Sequence, residues 1–285
     1  MKPLYLKKNT QSSSSSFFTL KTDVPHYYDK WHYHLELELF YVVRGRGTRI
    51  IGDSVMEFDS GDMVLVGSNL PHVWKNDPVY YVDDTVNASA ILVQFLEDFM
   101  GDTLWDLPEM IKINKLFEQS SQGIQVDKKT SKLVVPMLEE LVLLNGSKRL
   151  IRLLEILDTI ATGNYKLLSS NWFSKSYSSA NNRRIADVYD YIMENFTEKI
   201  TLEDMANVAN MNTTALCRYF KATTKKTITQ FINEIRVGYA VNLLNTKDCS
   251  IKQACFESGF NNLSYFCRQF KKILGYSPSQ LKKNK

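Results

Sequence analysis

Four side chains that can hold a metal or a polar ligand alternate along WHYHLELELFYVVRGRG, at His32, His34, Glu36 and Glu38. A β-strand turns successive side chains to opposite faces. Its two-residue period therefore puts these four on one face and Leu35, Leu37 and Leu39 on the other. Imidazole and carboxylate together suit divalent iron, manganese, nickel or zinc. His72 lies farther on, in GDMVLVGSNLPHVWKN at 61–76. Of the four histidines only His26 stands outside this group.

A different chemistry is written at the other end. Residues 1–182 carry 19 Lys and Arg against 22 Asp and Glu, and residues 183–285 carry 16 against 9. After Asn210 the count is 13 against 3. Such a block reads either as a site for a polyanion or as a solvated lysine surface. Within it LCRYFK at 216–221 returns as FCRQFK at 266–271. The repeat extends to ITLEDMANVANMNTTALCRYFKATT (200–224) and CSIKQACFESGFNNLSYFCRQFKKIL (249–274). Thr201 and Ser250 can N-cap a first helix. Asn210 and Gly259 then fall in a sharp turn, and they are the residue types most tolerant of left-handed backbone. Met211 and Phe260 plug the angle. Leu216, Tyr219 and Phe220 face inward in the first copy, Phe266 and Phe270 in the second. This is helix-turn-helix logic, and two copies let one chain read two successive major-groove segments. Between them TITQFINEIRVGYAVNLLNTK (227–247) carries Phe231, Ile235, Tyr239, Ala240, Leu243 and Leu244 on one helical stripe, with Gly238 in its interior.

These groups need elements to position them. From 31 to 95 the pattern is of short strands with Gly and Asp at the turns, TRIIGD, VMEFDSGD and MVLVGS among them, which suggests a sandwich or barrel. Helical periodicity follows at 131–144 and 148–161. In the latter Leu150, Leu153, Leu154, Leu157, Ile160 and Ala161 form a stripe that Ile151 and Ile156 widen. Two readings stay open for it, a subunit interface and packing against the barrel. The Ser- and Asn-rich segment 169–182 reads as a linker. The expected organisation is α+β in two domains: 1–168 with the barrel and helical segment, the linker, and an all-α unit at 183–285. No apolar run approaches the ~18 residues of a membrane span, and MKPLYLKKNTQSSSSSFF lacks the apolar stretch of a secretory signal. A cytoplasmic chain is expected. Cys217, Cys249, Cys255 and Cys267 show no CxxC spacing, so neither zinc nor a disulfide framework is suggested.

Residues 185–283 resemble the DNA-binding domain of AraC-type bacterial transcription regulators. The likeness rests on Leu202, Ala206, Arg218–Tyr219–Phe220–Lys221, Ile235–Arg236, Ala240, Leu243 and Leu244. It continues through Ile251, Ala254, Gly259–Phe260, Tyr265–Phe266, Arg268, Phe270–Lys271 and Gly275–Tyr276–Ser277–Pro278. Lys225 stands where the family usually has Gly, and Leu281–Lys282 where it has an aromatic and Arg. The resemblance implies base reading by Thr214, Cys217 and Arg218 and by Ser264, Tyr265 and Arg268. Arg can bridge guanine O6 and N7. Asn212, Asn261, Asn262, Lys221 and Lys271 are then backbone-phosphate candidates.

Residues 25–95 resemble a cupin, through His32-x-His34-x3-Glu38-x6-Gly45 and Gly61-x10-His72-x3-Asn76, with Gly67 in place of a family proline. That likeness implies His32, His34, Glu38 and His72 inside the barrel. There they either ligate a divalent metal or line an effector pocket, with Tyr41 and Trp74 as neighbours. The combined expectation is a transcription regulator, activator or repressor. It binds promoter DNA and a small-molecule effector, a sugar or related metabolite, as a homodimer addressing RNA polymerase. No enzyme activity or obligatory cofactor is expected. The alternative is a metal-dependent cupin enzyme carrying a DNA-binding domain.

Overall fold

The computed structural model describes residues 4–6, 15–171, 173, 183–224, 226–245 and 249–283. Lys225 and most of the expected linker, 172 and 174–182, lie outside the described residues. The chain divides into two units, one built from Leu4–Gly52 and Phe58–Ser174 and the other chiefly from Lys175–Lys285.

The described strands are β1 (Leu4–Tyr5), β2 (Phe17–Val24), β3 (His32–Tyr33), β4 (Leu37–Arg44), β5 (Gly47–Ile51), β6 (Ser54–Phe58), β7 (Met63–Val66), β8 (His72–Asn76), β9 (Ala88–Phe95), β10 (Ile124–Val126) and β11 (Tyr165–Leu167). They form a five-stranded sheet, β1-β3-β8-β5-β6, and a six-stranded sheet, β11-β10-β7-β4-β9-β2. The first unit's helices are α1 (Asp102–Trp105), α2 (Ile111–Ser120), α3 (Lys128–Leu141) and α4 (Gly146–Thr162).

The single strand expected at the histidines is two strands in different sheets. β3 pairs with β8, His32 opposite His72, while β4 runs between β7 and β9. The chain turns between them: the His34 ring bonds the Glu36 carbonyl, and the His34 carbonyl accepts from the Asn69 amide. Leu35, expected on the buried face, is 48% exposed at this corner. Past it alternation resumes. Leu37 and Leu39 join a core with Leu116, Leu138, Leu153, Ile156, Leu157 and Ile160 from α2, α3 and α4. Glu38 and Phe40 point the other way, and Phe40 stacks on Trp74 of the facing sheet at 4.4 Å. On α4 the buried residues are Leu153, Ile156, Leu157 and Ile160, so Ile156 lies at the centre of the stripe rather than at its margin, and Ile151 is 56% exposed. Each fully buried aliphatic side chain contributes about 1.5–3 kcal/mol.

The second unit is helical: α5 (Arg183–Asn195), α6 (Leu202–Val208), α7 (Thr213–Thr224), α8 (Ile228–Asn245), α9 (Ile251–Glu257), α10 (Leu263–Leu274) and α11 (Pro278–Lys283). Its two halves repeat the same capping boxes and turns. Thr201 with Asp204, and Ser250 with Gln253, form capping boxes that satisfy orphan amides at the starts of α6 and α9. Met211 N donates to Ala206 O at 2.9 Å and Phe260 N to Cys255 O at 3.0 Å. Asn210 and Gly259 both have left-handed backbone, φ 51° and 85°.

The connector α8 is buried on more than the one stripe the sequence suggests. Phe231 meets Tyr189 of α5 at 4.3 Å and Phe220 of α7 at 6.1 Å. Val237, Ala240, Leu243 and Leu244 join Ala254, Cys255, Phe260, Phe266 and Phe270 in a second core. A helix sandwiched between two helix pairs needs apolar residues on both flanks. Arg236 ties it to the end of α5, donating to Phe196 O at 2.6 Å and Glu198 O at 2.8 Å.

A Cβ on Gly259 would lie 2.4 Å from Phe196 O, a backbone atom with little room to yield, in a conformation costly for any L side chain. Gly259→Ala is therefore expected to destabilise this unit by about 1–3 kcal/mol, whereas Asn210→Gly stays within about 1 kcal/mol of the parent. Thermal unfolding followed by circular dichroism checks both.

Candidate functional site

Three histidines converge inside the first unit, and each ring is set by a backbone carbonyl. Nδ1 of His32 lies 2.7 Å from Lys30 O, that of His34 3.0 Å from Glu36 O and that of His72 2.7 Å from Leu70 O. A carbonyl only accepts, so each Nδ1 carries a proton and each Nε2 presents its lone pair when the ring is neutral. The three rings offer ligand nitrogens within 4.8 Å of one another, and all three residues are buried. His32 is centred 4.3 Å from His72 and 5.8 Å from His34.

Glu38 completes the group from β4. Its Oε2 lies 3.0 Å from His34 Nε2 and accepts from Gln94 Nε2 at 2.6 Å, while Oε1 is 3.7 Å from His72 Nε2. A lone pair and a carboxylate oxygen at 3.0 Å repel unless a cation lies between them. A shared proton or a metal ion satisfies both. Burial pushes the Glu38 carboxyl up, but the bond from His34 and the facing imidazoles outweigh it and hold the group well below the usual carboxylate range. Burial, with His32 alongside, holds His72 well below its ordinary value, so that ring is neutral. Glu36 comes to His34 from the Nδ1 side, at 3.6 Å, away from the converging nitrogens.

Of the expected neighbours, Trp74 lies 5.6 Å from His72. Tyr41 does not belong here. An odd number of residues from Glu38, it shares the face of Leu37 and Leu39 and packs into the helix-side core. His26 stacks on Tyr81, outside the cluster. Sequence reasoning missed Gln94, whose partner is 56 residues away. It also missed Arg49, although a lone charge inside TRII was visible as an anomaly. Arg49 pairs with Trp74 across the β5–β8 ladder and is 1% exposed, with NH1 2.6 Å from Asp62 Oδ2. Its NH2, Trp74 Nε1, His72 Nε2 and Gln125 Oε1 are buried without a hydrogen-bond partner. Such groups cost about 1–3 kcal/mol each until something meets them.

In the second unit α7 and α10 present the expected reading residues. Thr214, Arg218, Ser264 and Arg268 are exposed, as are Lys221, Lys271 and Asn261, while Cys217 and Tyr265 are half-buried. Two of these settings hold bonds of their own. Asn212 Oδ1 accepts from Ala215 N, and Asn262 Oδ1 from Tyr265 N, each at 2.8 Å. These asparagines are N-caps, with only their NH₂ groups left for a phosphate. Tyr265 does not stand free, since its hydroxyl accepts from Asn233 Nδ2 at 2.8 Å. Among the described residues no helix is long and apolar enough to cross a membrane.

A helix-turn-helix domain model matches residues 205–284 and a cupin domain model matches 20–79. An uncharacterised HTH-type transcriptional regulator of Bacillus subtilis, YdeC, is 23% identical over 277 residues, 88% of this chain and 85% of that protein. The chain thus carries a helix-turn-helix domain behind a cupin domain, and it is similar to HTH-type transcriptional regulators. The melibiose operon regulatory protein of Escherichia coli K12 is 28% identical over 99 residues, 35% of the chain and 33% of that protein. Among solved structures, ToxT of Vibrio cholerae O395, bound to a methylnaphthalenyl butenoic acid, is 15% identical over 94% of this chain and 99% of its own, with TM-score 0.37.

Gln94 supplies one of the few neutral donors to a buried carboxylate. Gln94→Leu is expected to destabilise the first unit by about 1–3 kcal/mol, visible as a lower urea midpoint at unchanged slope.

Proposed function

We propose that this chain is a transcription regulator controlled by a neutral polyhydroxylated molecule, a sugar or related metabolite, held between the two sheets. The observation that carries the reading is the set of unpartnered buried atoms. Arg49 NH2 and Trp74 Nε1 donate, and His72 Nε2 and Gln125 Oε1 accept. Mixed donors and acceptors beside an aromatic pair suit hydroxyl groups, which do both. Asp62 already balances the Arg49 charge, which argues against an anion. Effector binding changes DNA affinity only if it favours one arrangement of the protein over another. The exposed apolar residues Leu133, Leu143 and Ile151, on and beside α3 and α4, support a second copy as the partner through which that change runs. Replacing His34 and His72 together by Gln is expected to abolish the effector response in a reporter assay while effector-free DNA binding persists. A normal response in the double variant would send the search elsewhere.

A second reading is favoured by the three Nδ1–carbonyl bonds, which hold each ring as a ligating histidine is held. His32, His34 and His72, with Glu38, fit a divalent cation of the zinc, iron or manganese kind, which would supply Lewis acidity or fix the pocket's shape. Elemental analysis of the purified protein tests it. Stoichiometric tightly held iron or manganese would also favour the alternative of a cupin enzyme carrying a DNA-binding domain.

For DNA, the reading assigns base contacts to Thr214, Cys217 and Arg218 and to Ser264 and Arg268, with Tyr265 tied back to Asn233 beside them and phosphate contacts from Lys221, Lys271 and the flanking asparagines. Arg268→Ala is expected to cost about 1–3 kcal/mol on the specific site and to relax one base position. Binding is expected to fall steeply with salt, in proportion to the phosphates neutralised. Titration of fluorescent duplexes at several salt concentrations checks both. A cytoplasmic location, with RNA polymerase as the downstream partner, belongs to the same reading.

A further inference from the structure

The two recognition helices hold equivalent arginines in unequal settings. Arg218 and Arg268 occupy the same place in α7 and α10, counted from caps with identical geometry. The residue donating its amide to the cap is Ala215 in the first copy and Tyr265 in the second. Arg268 therefore has an aromatic ring one turn before it, and its guanidinium carbon lies 5.4 Å from the Tyr265 ring centre. Arg218 has a methyl group at that position.

The ring is itself held. Its hydroxyl accepts from Asn233, a residue of the connector that is 5% exposed. Its other neighbour is Phe260, 6.0 Å between ring centres. Phe260 lies under Arg236, one turn along the connector from Asn233, at 5.8 Å. Connector, tyrosine and arginine form a chain that ends at the exposed face of α10.

We propose that Tyr265 is a positioning residue that presents the Arg268 guanidinium to its base, making the second helix the more stringent reader. A free arginine has many rotamers, and ordering them on binding costs affinity. A cation over a ring at i, i+3 spacing has already lost much of that freedom. Asn233 sets where the ring stands. The first helix, with Ala215, meets DNA with an unrestrained Arg218 and accepts more sequences. This rests on the assignment of Arg268 to a base, made above.

The test uses the full chain and a duplex that it retains from genomic DNA, with each base pair of the site replaced in turn. Arg268→Ala serves as reference and identifies the position that the guanidinium reads. Tyr265→Leu is expected to reduce discrimination at that position about tenfold. It should leave the other positions and the affinity for random duplex unchanged, and add nothing to Arg268→Ala in the double variant. Tyr265→Phe, which keeps the ring, is expected to retain most of the discrimination. If Arg268→Ala lowers discrimination and Tyr265→Leu does not, the inference is overturned. A loss spread evenly over all positions overturns it too, since that marks a general disturbance of the fold. If Arg268→Ala changes no position, the base assignment itself fails, and that result is distinct from the other two.

Discussion

Strand β4 is buried on both faces, and its alternation divides the first unit into two environments. Odd-numbered residues from Leu37 to Val43 belong to the core under α2, α3 and α4. Even-numbered residues turn toward the five-stranded sheet, Glu38 toward the histidines and Phe40 onto Trp74. A slip of one residue in register would exchange the two sets, burying a carboxylate among leucines. Pairing on both sides, with β7 and β9, fixes the register, and the polar group between the sheets inherits its geometry from that pairing.

Helix α8 holds the equivalent place in the second unit. Because both helix pairs pack on it, its length sets the spacing between α7 and α10. Its polar residues act as fasteners: Arg236 closes the end of α5, and Asn233 reaches the second recognition helix. Burying Asn233 is tolerable because its amide has a partner.

How far this was legible in the sequence depends on how far apart the partners lie. Alternation and helical periodicity are local, so the strands, the two turn-helix copies and the inward Phe220, Phe266 and Phe270 could be read directly. Asn212 and Asn262 are legible as N-caps, each standing immediately before a helix. Tyr41, three residues from Glu38, falls on the opposite face, as counting parity along the strand shows. The break at His34–Glu36 was hidden, because a corner between two sheets leaves the alternation of residue types intact. Gln94, Asp62 and Asn233 answer to residues across the fold, and no periodicity announces them.

The fork of Arg236 onto the carbonyls of Phe196 and Glu198 bears on how this protein can be cut. A fragment beginning at Thr201 would keep both turn-helix copies whole. It would also uncover the faces of Phe220 and Phe231 that Tyr189 covers, and leave a half-buried guanidinium without its acceptors. The two copies that look self-sufficient as a repeat are thus not an autonomous folding module. The cooperative unit includes α5, which belongs to neither copy and so acts as the shared lid of a duplicated device.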